Sequence, residues 1–406
     1  MQSQDILRRI KELDSHFAPF VSREFAESHS SYLNTGSCGK KPASVLNAIH
    51  SGWQSFNENP TISTFLDEEP MKMARESAAK LLNVPAKQLL LTQNSTHGLQ
   101  LLLTGLLKTA DELVTTDKEH GSVVAISRYL AETRDVVTHR YPIDPFEGSS
   151  AFCDGILALV TPKTKVVLVS QIGSYNTWRP NLTRLQSELR KRDVELIVDG
   201  AHSAGHGVCR PGEFRMWVGS GHKWLGGPNA TGFVYVSPDL VPTLEPVQLG
   251  DVHYIKKDAD LNDLTRFEST GTADVVRWRG LAAACELMLN LDPVKVGEKQ
   301  LLLAQYYRQQ VLELSPTFRT PDLYASFEEG VPSEASAMVV CHWPQERLNT
   351  GGVGLRDCLW DRFRIWVQPD FANSDAGLGL RVSCHYSTKV EELDSLVSAL
   401  RTMIRV

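Results

Sequence analysis

No two cysteines in this chain of 406 residues follow the C-x-x-C spacing; the seven stand singly, at Cys38, Cys153, Cys209, Cys285, Cys341, Cys358 and Cys384. That scatter argues against a structural zinc site and a disulfide framework, and reduced, packing thiols are expected. No apolar run approaches the roughly 18–20 residues of a membrane span. There is no basic excess either, since the formal net charge is −6. Neither membrane nor nucleic acid is expected as a partner. The opening MQSQDILRRIKELDSHF mixes acids and bases without an apolar core, unlike a secretory or transit leader, so a cytoplasmic protein is expected. Repeats, low-complexity segments and flexible linkers are lacking too. What is present, 42% hydrophobic and 22% charged residues, is ordinary for a globular chain, and the length implies two domains.

Apolar patterning alternates strands with helices. Short buried runs at 89–92, 112–116, 165–170, 196–199, 214–218 and 232–236 read as strands, with 135–141 a further candidate. Helices are expected in an arm over 1–28 and over 42–56, 71–82, 99–107, 122–130 and 182–192, with a long one over 275–289 bridging to a second domain. The alternation implies a mostly parallel sheet covered on both faces, 232–236 running against the rest. A polar, irregular stretch covers 249–264. Beyond it, helices alternate with strands such as 337–342 and 380–383.

The segment 194–228, VELIVDGAHSAGHGVCRPGEFRMWVGSGHKWLGGP, organises the rest. Asp199 ends one apolar run, and Lys223 follows the next through Gly219-Ser220-Gly221-His222. An acid and a lysine so placed are what pyridoxal 5'-phosphate (PLP) needs. Its aldehyde condenses with a lysine amine kept at low pKa by desolvation, and a carboxylate keeps its pyridine nitrogen protonated. Taken singly, each is equally an acid closing a strand or a surface lysine in a turn. The run 89–92 feeds a helix through Asn94-Ser95-Thr96-His97-Gly98. Hydroxyls and N–H groups at the positive end of a helix dipole suit a phosphate, though a plain N-cap explains the same residues. His120 lies just past the end of 112–116, where open α/β sheets meet ligands; a cap or surface role also fits it. His202 and His206 stand four apart, but Gly205 and Gly207 interrupt any helix and no third ligand offers itself, so no metal is expected. The Gly-rich run 219–227 lacks the G-x-x-x-x-G-K-[ST] order of a nucleotide loop.

In their order, the Thr96 helix start, Glu119-His120, Asp199-Gly200-Ala201-His202, Ser220-Gly221-His222-Lys223, Gly271-Thr272 and Arg381-Val382-Ser383 resemble the class V aminotransferase family of fold-type I PLP enzymes, from about residue 32 to 392. That family includes cysteine desulfurases, cystine lyases and isopenicillin N epimerase-like proteins. The resemblance implies an α/β fold: a mostly parallel seven-stranded sheet in a three-layer α/β/α large domain over 31–275, a smaller α+β domain over 276–406, and an arm over 1–30 packed with the latter. It implies PLP as cofactor, a small amino-acid substrate and a homodimer with shared active sites. Lys223 would bond the aldehyde and shuttle the α-proton, Asp199 would pair with the pyridine nitrogen, His120 would stack on the ring, and His202 would approach its phenolic oxygen. Ser95, Thr96, Ser220 and His222 would hold the phosphate, with Thr272 reaching that of the other subunit. Gln171 falls where desulfurases carry an Asn near the ring oxygen, and Asn176 competes for that place. Arg381 would clamp the substrate carboxylate, which its fork matches, with Asn34 and Asn176 beside the substrate. Trp178, Arg179, His253, Tyr254 and the 368–377 loop would shape the pocket.

Desulfurases place a nucleophilic cysteine shortly before that arginine. Here 368–377 reads QPDFANSDAG, without one, so a persulfide route is not expected. The expectation is a PLP enzyme acting on an amino acid or S-conjugated amino acid, a carbon–sulfur β-lyase by analogy with cystine and cysteine-sulfoxide lyases. The alternatives are an epimerase, an aminotransferase or a decarboxylating deaminase. A silent homologue serving as a binding protein is disfavoured by the intact Lys223, Asp199 and His120.

Overall fold

The computed structural model describes residues 3–144, 147–207, 209–246, 262–268, 271–314, 334–343, 354–370 and 378–403. After β1 (Ser31–Tyr32) come β2 (Leu89–Thr92), β3 (Glu112–Thr116), β4 (Val137–Tyr141), β5 (Thr164–Ser170), β6 (Glu195–Gly200), β7 (Met216–Ser220) and β8 (Gly232–Val236). The last seven form one sheet ordered β2-β8-β7-β6-β5-β3-β4. Every pairing in it is parallel except those of β8, which runs antiparallel to both β2 and β7. Strands buried on both faces must be apolar throughout, and β6 and β7 are: Leu196 and Val198 face one core while Ile197 faces the other, and Trp217 opposes Met216 and Val218 in the same way. Only the edge strand β4 leaves side chains partly exposed along its whole length.

The helices are α1 (Ser3–Glu24), α2 (Ala43–Glu58), α3 (Pro60–Phe65), α4 (Glu69–Leu82), α5 (Ser95–Leu106), α6 (Gly121–Arg134), α7 (Gly148–Ala158), α8 (Thr183–Arg190), α9 (Val276–Asn290), α10 (Pro293–Leu312), α11 (Leu355–Phe363) and α12 (Val390–Met403). α5 and α6 cover one face of the sheet through Leu99, Leu102 and Ile126. α7 and α8 cover the other through Phe152, Ile156 and Leu185. Each such side chain contributes about 1.5–3 kcal/mol on burial, so this three-layer arrangement is the bulk of the apolar core. Among the described residues no helix is long and apolar enough to cross a membrane.

A smaller sheet comprises β9 (Met338–Trp343), β11 (Gln368–Asp370) and β12 (Leu378–Ser383), ordered β11-β12-β9 and antiparallel, while β10 (Ile365–Trp366) pairs in parallel with β1. The β1 pairing carries residues 33–39 from this smaller sheet towards the main one: Leu33 N–H donates to Trp366 O at 2.9 Å, and Ser383 N–H to Leu33 O at 2.9 Å. α1 packs on α10, where Arg9 pairs with Glu298 and Lys299 with Asp14.

Several boundaries differ from those expected. α5 begins at Ser95, not 99, because the Asn94 side chain accepts the N–H of His97 at 2.8 Å; the polar run is the first helical turn rather than a linker before it. α3 and α7 are additional helices, and α9 packs against α2 and α4. Gln368–Asp370, expected in a loop, form β11. His253 and Tyr254 lie outside the described residues, as do 371–377.

Candidate active site

A cavity of about 360 Å³ opens beyond the carboxyl ends of β6 and β7, facing the first turn of α5. Its size is that of a small-molecule site, and its position is where open α/β sheets receive ligands. Larger hollows, of about 680 Å³ beside α1 and about 530 Å³ beside α4, hold none of the expected site residues. The smaller one gathers nine of them.

Asp199, the penultimate residue of β6, is buried with Oδ1 accepting the N–H of Ala201 at 2.9 Å. Burial pushes its carboxyl pKa up, against the pull of that bond and of the Lys223 charge. A carboxylate so enclosed calls for a cationic partner in the cavity. The chain at 200 passes so close under Trp217 that a Cβ there would meet the indole at 2.0 Å, which only glycine avoids.

Lys223 follows β7 and stands half-buried on the cavity wall. Desolvation pushes its amine down to about 8; Asp199 opposes this and Arg381 adds to it. Its Nζ lies 3.5 Å from His202 Nε2, which is also 2.9 Å from Ser174 Oγ. Burial first, then the Lys223 charge, hold His202 well below the ordinary imidazole range. Gly39 allows residues 36–39 to cross this wall: its N–H donates to His222 O at 2.9 Å, and a Cβ on it would lie 2.0 Å from the Lys223 carbonyl oxygen.

The end facing α5 is built of hydroxyls. Ser220 Oγ donates to Ser95 Oγ at 3.1 Å, Thr96 and His222 line the same space, and His222 Nδ1 lies 3.4 Å from Thr231 O. The N–H groups of a helix's first turn have no intrahelical acceptors, so α5, twelve residues long, offers a phosphate both its dipole and these hydroxyls. His120 takes both roles open to it. Its Nδ1 caps α6 through Ser122 N–H at 3.2 Å, and its ring lines the cavity. Desolvation, with the Lys223 charge, lowers its pKa.

Arg381, from β12, closes the opposite side. Its buried guanidinium donates from Nη1 to Ser174 O at 2.9 Å and from Nη2 to Ser37 Oγ at 2.9 Å. Asn34 sits behind Ser37, accepting its hydroxyl at 2.9 Å and donating to Gln368 Oε1 at 3.2 Å, away from the cavity wall.

Gln171 and Asn176 are not brought to the wall. Gln171 Oε1 accepts from Trp217 Nε1 at 3.0 Å, and Asn176 Oδ1 turns back to the N–H of Trp178 at 3.1 Å. Ser174 and Tyr175 line the cavity instead. Trp178 is buried away from it, donating to Glu334 Oε2 at 2.8 Å, and Arg179 N–H bonds Glu334 O at 3.0 Å. Thr272 is exposed and off this wall. His206 faces away from His202, accepting the N–H of Ala337 at 2.6 Å. Seven wall residues had not been singled out as site residues, Gly36, Ser37, Asn94, Ser174, Tyr175, Ala201 and Gln368, although Gln368 opens the 368–377 stretch expected to shape the pocket. The run Asn34-Thr35-Gly36-Ser37 carried a local hint, being polar and glycine-bearing.

The sequence matches the family model for aminotransferase class-V over residues 31–396. Isopenicillin N epimerase of Streptomyces clavuligerus is 28% identical over 391 residues, covering 91% of this chain and 93% of that protein. A probable cysteine desulfurase of Ureaplasma parvum is 28% identical over 305 residues, covering 71% and 74%. Among solved structures, the complex of the cystine C-S lyase C-DES with its reaction product cysteine persulfide superposes with a TM-score of 0.79 at 21% identity, covering 92% of this chain and 98% of that one. This last likeness is one of fold.

Proposed function

Because the chain belongs to the aminotransferase class-V family, we propose that it is a PLP enzyme acting on an α-amino acid, with Lys223 moving the α-proton and Arg381 holding the carboxylate. The observation that carries this is a single cavity holding an amine with a pKa of about 8, a buried acid and a buried guanidinium. When bound, the cofactor supplies the electron sink that makes the α-carbon acidic. Lys223 Nζ would hold its aldehyde, and an amine with this pKa is a competent base near neutral pH. Asp199 would keep the pyridine nitrogen protonated, and Ser95, Thr96, Ser220 and His222 would hold the phosphate. His120 would lie against the ring, and His202 Nε2 would serve the ring oxygen. Arg381 fixes the substrate so that its α-hydrogen faces Lys223.

For the exit we propose β-elimination of a sulfur substituent, a carbon–sulfur lyase reaction. It is supported by the similarity to a desulfurase over 71% of the chain and by the lack of a cysteine in 368–377, which leaves elimination without a protein thiol. The second reading is epimerisation, favoured by the longer match to isopenicillin N epimerase. Incubation with S-substituted cysteines in heavy water separates the two. Elimination releases a thiol and, after hydrolysis of the enamine by water, a keto acid and ammonia, whereas epimerisation exchanges the α-hydrogen and inverts the centre with no cleavage. Transamination or decarboxylation would leave the sulfur attached or release carbon dioxide.

We propose further that the enzyme is a homodimer. α2 and α3, with the residue after them, expose Leu46, Trp53, Ile62, Phe65 and Leu66, large apolar side chains that a second subunit would cover. Exposed Thr272 is available to a second subunit.

A further inference from the structure

We propose that Trp224 is a positioning residue that decides which nitrogen of His202 carries the proton. Trp224 follows Lys223 in the chain but turns away from the cavity into a fully buried position. There it lies edge-on to His206, with ring centroids 4.9 Å apart, and its carbonyl oxygen is 3.3 Å from His385 Nε2. Held in this way, its indole Nε1 points at His202 Nδ1 from 3.4 Å.

An indole nitrogen can only donate. At 3.4 Å the bond is long and weak, but it is decisive in sign. A proton on His202 Nδ1 would set two N–H groups head to head, while a lone pair there accepts. The ring is buried among Lys223, Arg381, His206 and His120, and it holds one proton rather than two. That proton therefore sits on Nε2, the nitrogen facing Ser174 Oγ and Lys223 Nζ. Lys223 consequently meets an N–H donor rather than a lone pair, and a donor favours the neutral amine over the ammonium. The other tautomer would offer the ammonium an acceptor and raise its pKa. The consequence for the cofactor's ring oxygen rests on the function proposed above; the assignment of the proton does not.

The test uses the full-length protein freed of cofactor and labelled with ¹⁵N in its histidine rings. His202, identified by the signals lost in His202→Asn, is expected to show Nδ1 as the lone-pair nitrogen and Nε2 as the protonated one; the reverse assignment overturns the proposal. In Trp224→Phe, which keeps an aromatic ring and deletes the donor, the pKa of Lys223 is read from the pH dependence of its labelling by an amine-directed reagent. It is expected to rise by about one unit. A folded Trp224→Phe protein whose Lys223 titrates unchanged would mean that Trp224 only packs, which also overturns the proposal. Should that variant fail to fold, the histidine spectrum of the unsubstituted protein decides by itself. A protein that never takes up PLP would sink the proposed function and leave both readouts intact.

Discussion

Arg381→Ala separates a substrate clamp from a structural tie, because the structure gives Arg381 both roles. Arg381 is 7% exposed and its guanidinium binds Ser174 O and Ser37 Oγ, joining two segments of the cavity wall to β12. A carboxylate held by such a fork in a largely dry pocket is worth about 2–4 kcal/mol, or about 30-fold to 1,000-fold in affinity. Losing the wall contacts also costs stability, about 1–3 kcal/mol, and would weaken any ligand by loosening the pocket. The assay therefore compares an unreactive amino acid with its methyl ester, each titrated into the holoenzyme and followed by the change in cofactor absorbance. In the unsubstituted enzyme the ester should bind more weakly by the full factor. In Arg381→Ala the acid should fall to the level of the ester, so that the coupling between carboxylate and arginine vanishes. If acid and ester weaken equally, the loss comes from the wall and the clamp assignment fails. Arg381→Lys should recover little, since an ammonium cannot span two partners as a planar fork does.

Lys223→Ala should retain some PLP without a bond to the protein and lose turnover by several orders of magnitude; borohydride treatment followed by mass spectrometry should mark residue 223 only in the unsubstituted enzyme. Glu119, buried behind the cavity where Thr116 and Ser170 donate to it, has its pKa raised from 4.5 to about 7, chiefly by desolvation. A carboxyl raised on folding contributes stability that is complete below its unfolded value and is lost as pH rises through the folded one. Urea unfolding of Glu119→Gln should accordingly depend less on pH than the parent between 4.5 and 7, and parallel profiles would refute this. Phe65→Asp, on the exposed apolar surface of α3, should leave the fold intact and shift sedimentation from dimer to monomer.

The local patterning of the chain was enough to find the sheet. Strands buried on both faces leave unbroken apolar runs, and β2, β3, β5, β6, β7 and β8 lie at or within a residue or two of those runs, with β8 reversed as expected. Asp199, Lys223 and His120 were legible for a related reason: each ends or follows a strand of this sheet, and its strand ends point to one rim, whereas Arg381, inside β12 of the smaller sheet, was found through the family resemblance. Helix ends were read less well, because a polar first turn such as Ser95-Thr96-His97 looks like a loop until its capping bond is seen.

Which residue of a loop faces the cavity was not legible. The choice among Gln171, Ser174 and Asn176 turns on Thr177, whose φ of 56° and N–H bond of 3.0 Å to Gly173 O fold the loop back on itself. That fold sends Asn176 inward to Trp178 and leaves Ser174 on the wall. The meeting of Ser37, Gln368 and Arg381 likewise needs β1 to pair with β10 and β11 with β12, contacts between segments more than 300 residues apart along the chain for Ser37. Periodicity and residue chemistry act within a few residues of one another, so they determined the elements and the chemical parts. A cavity wall is made by side chains distant in sequence, whose directions only packing can set.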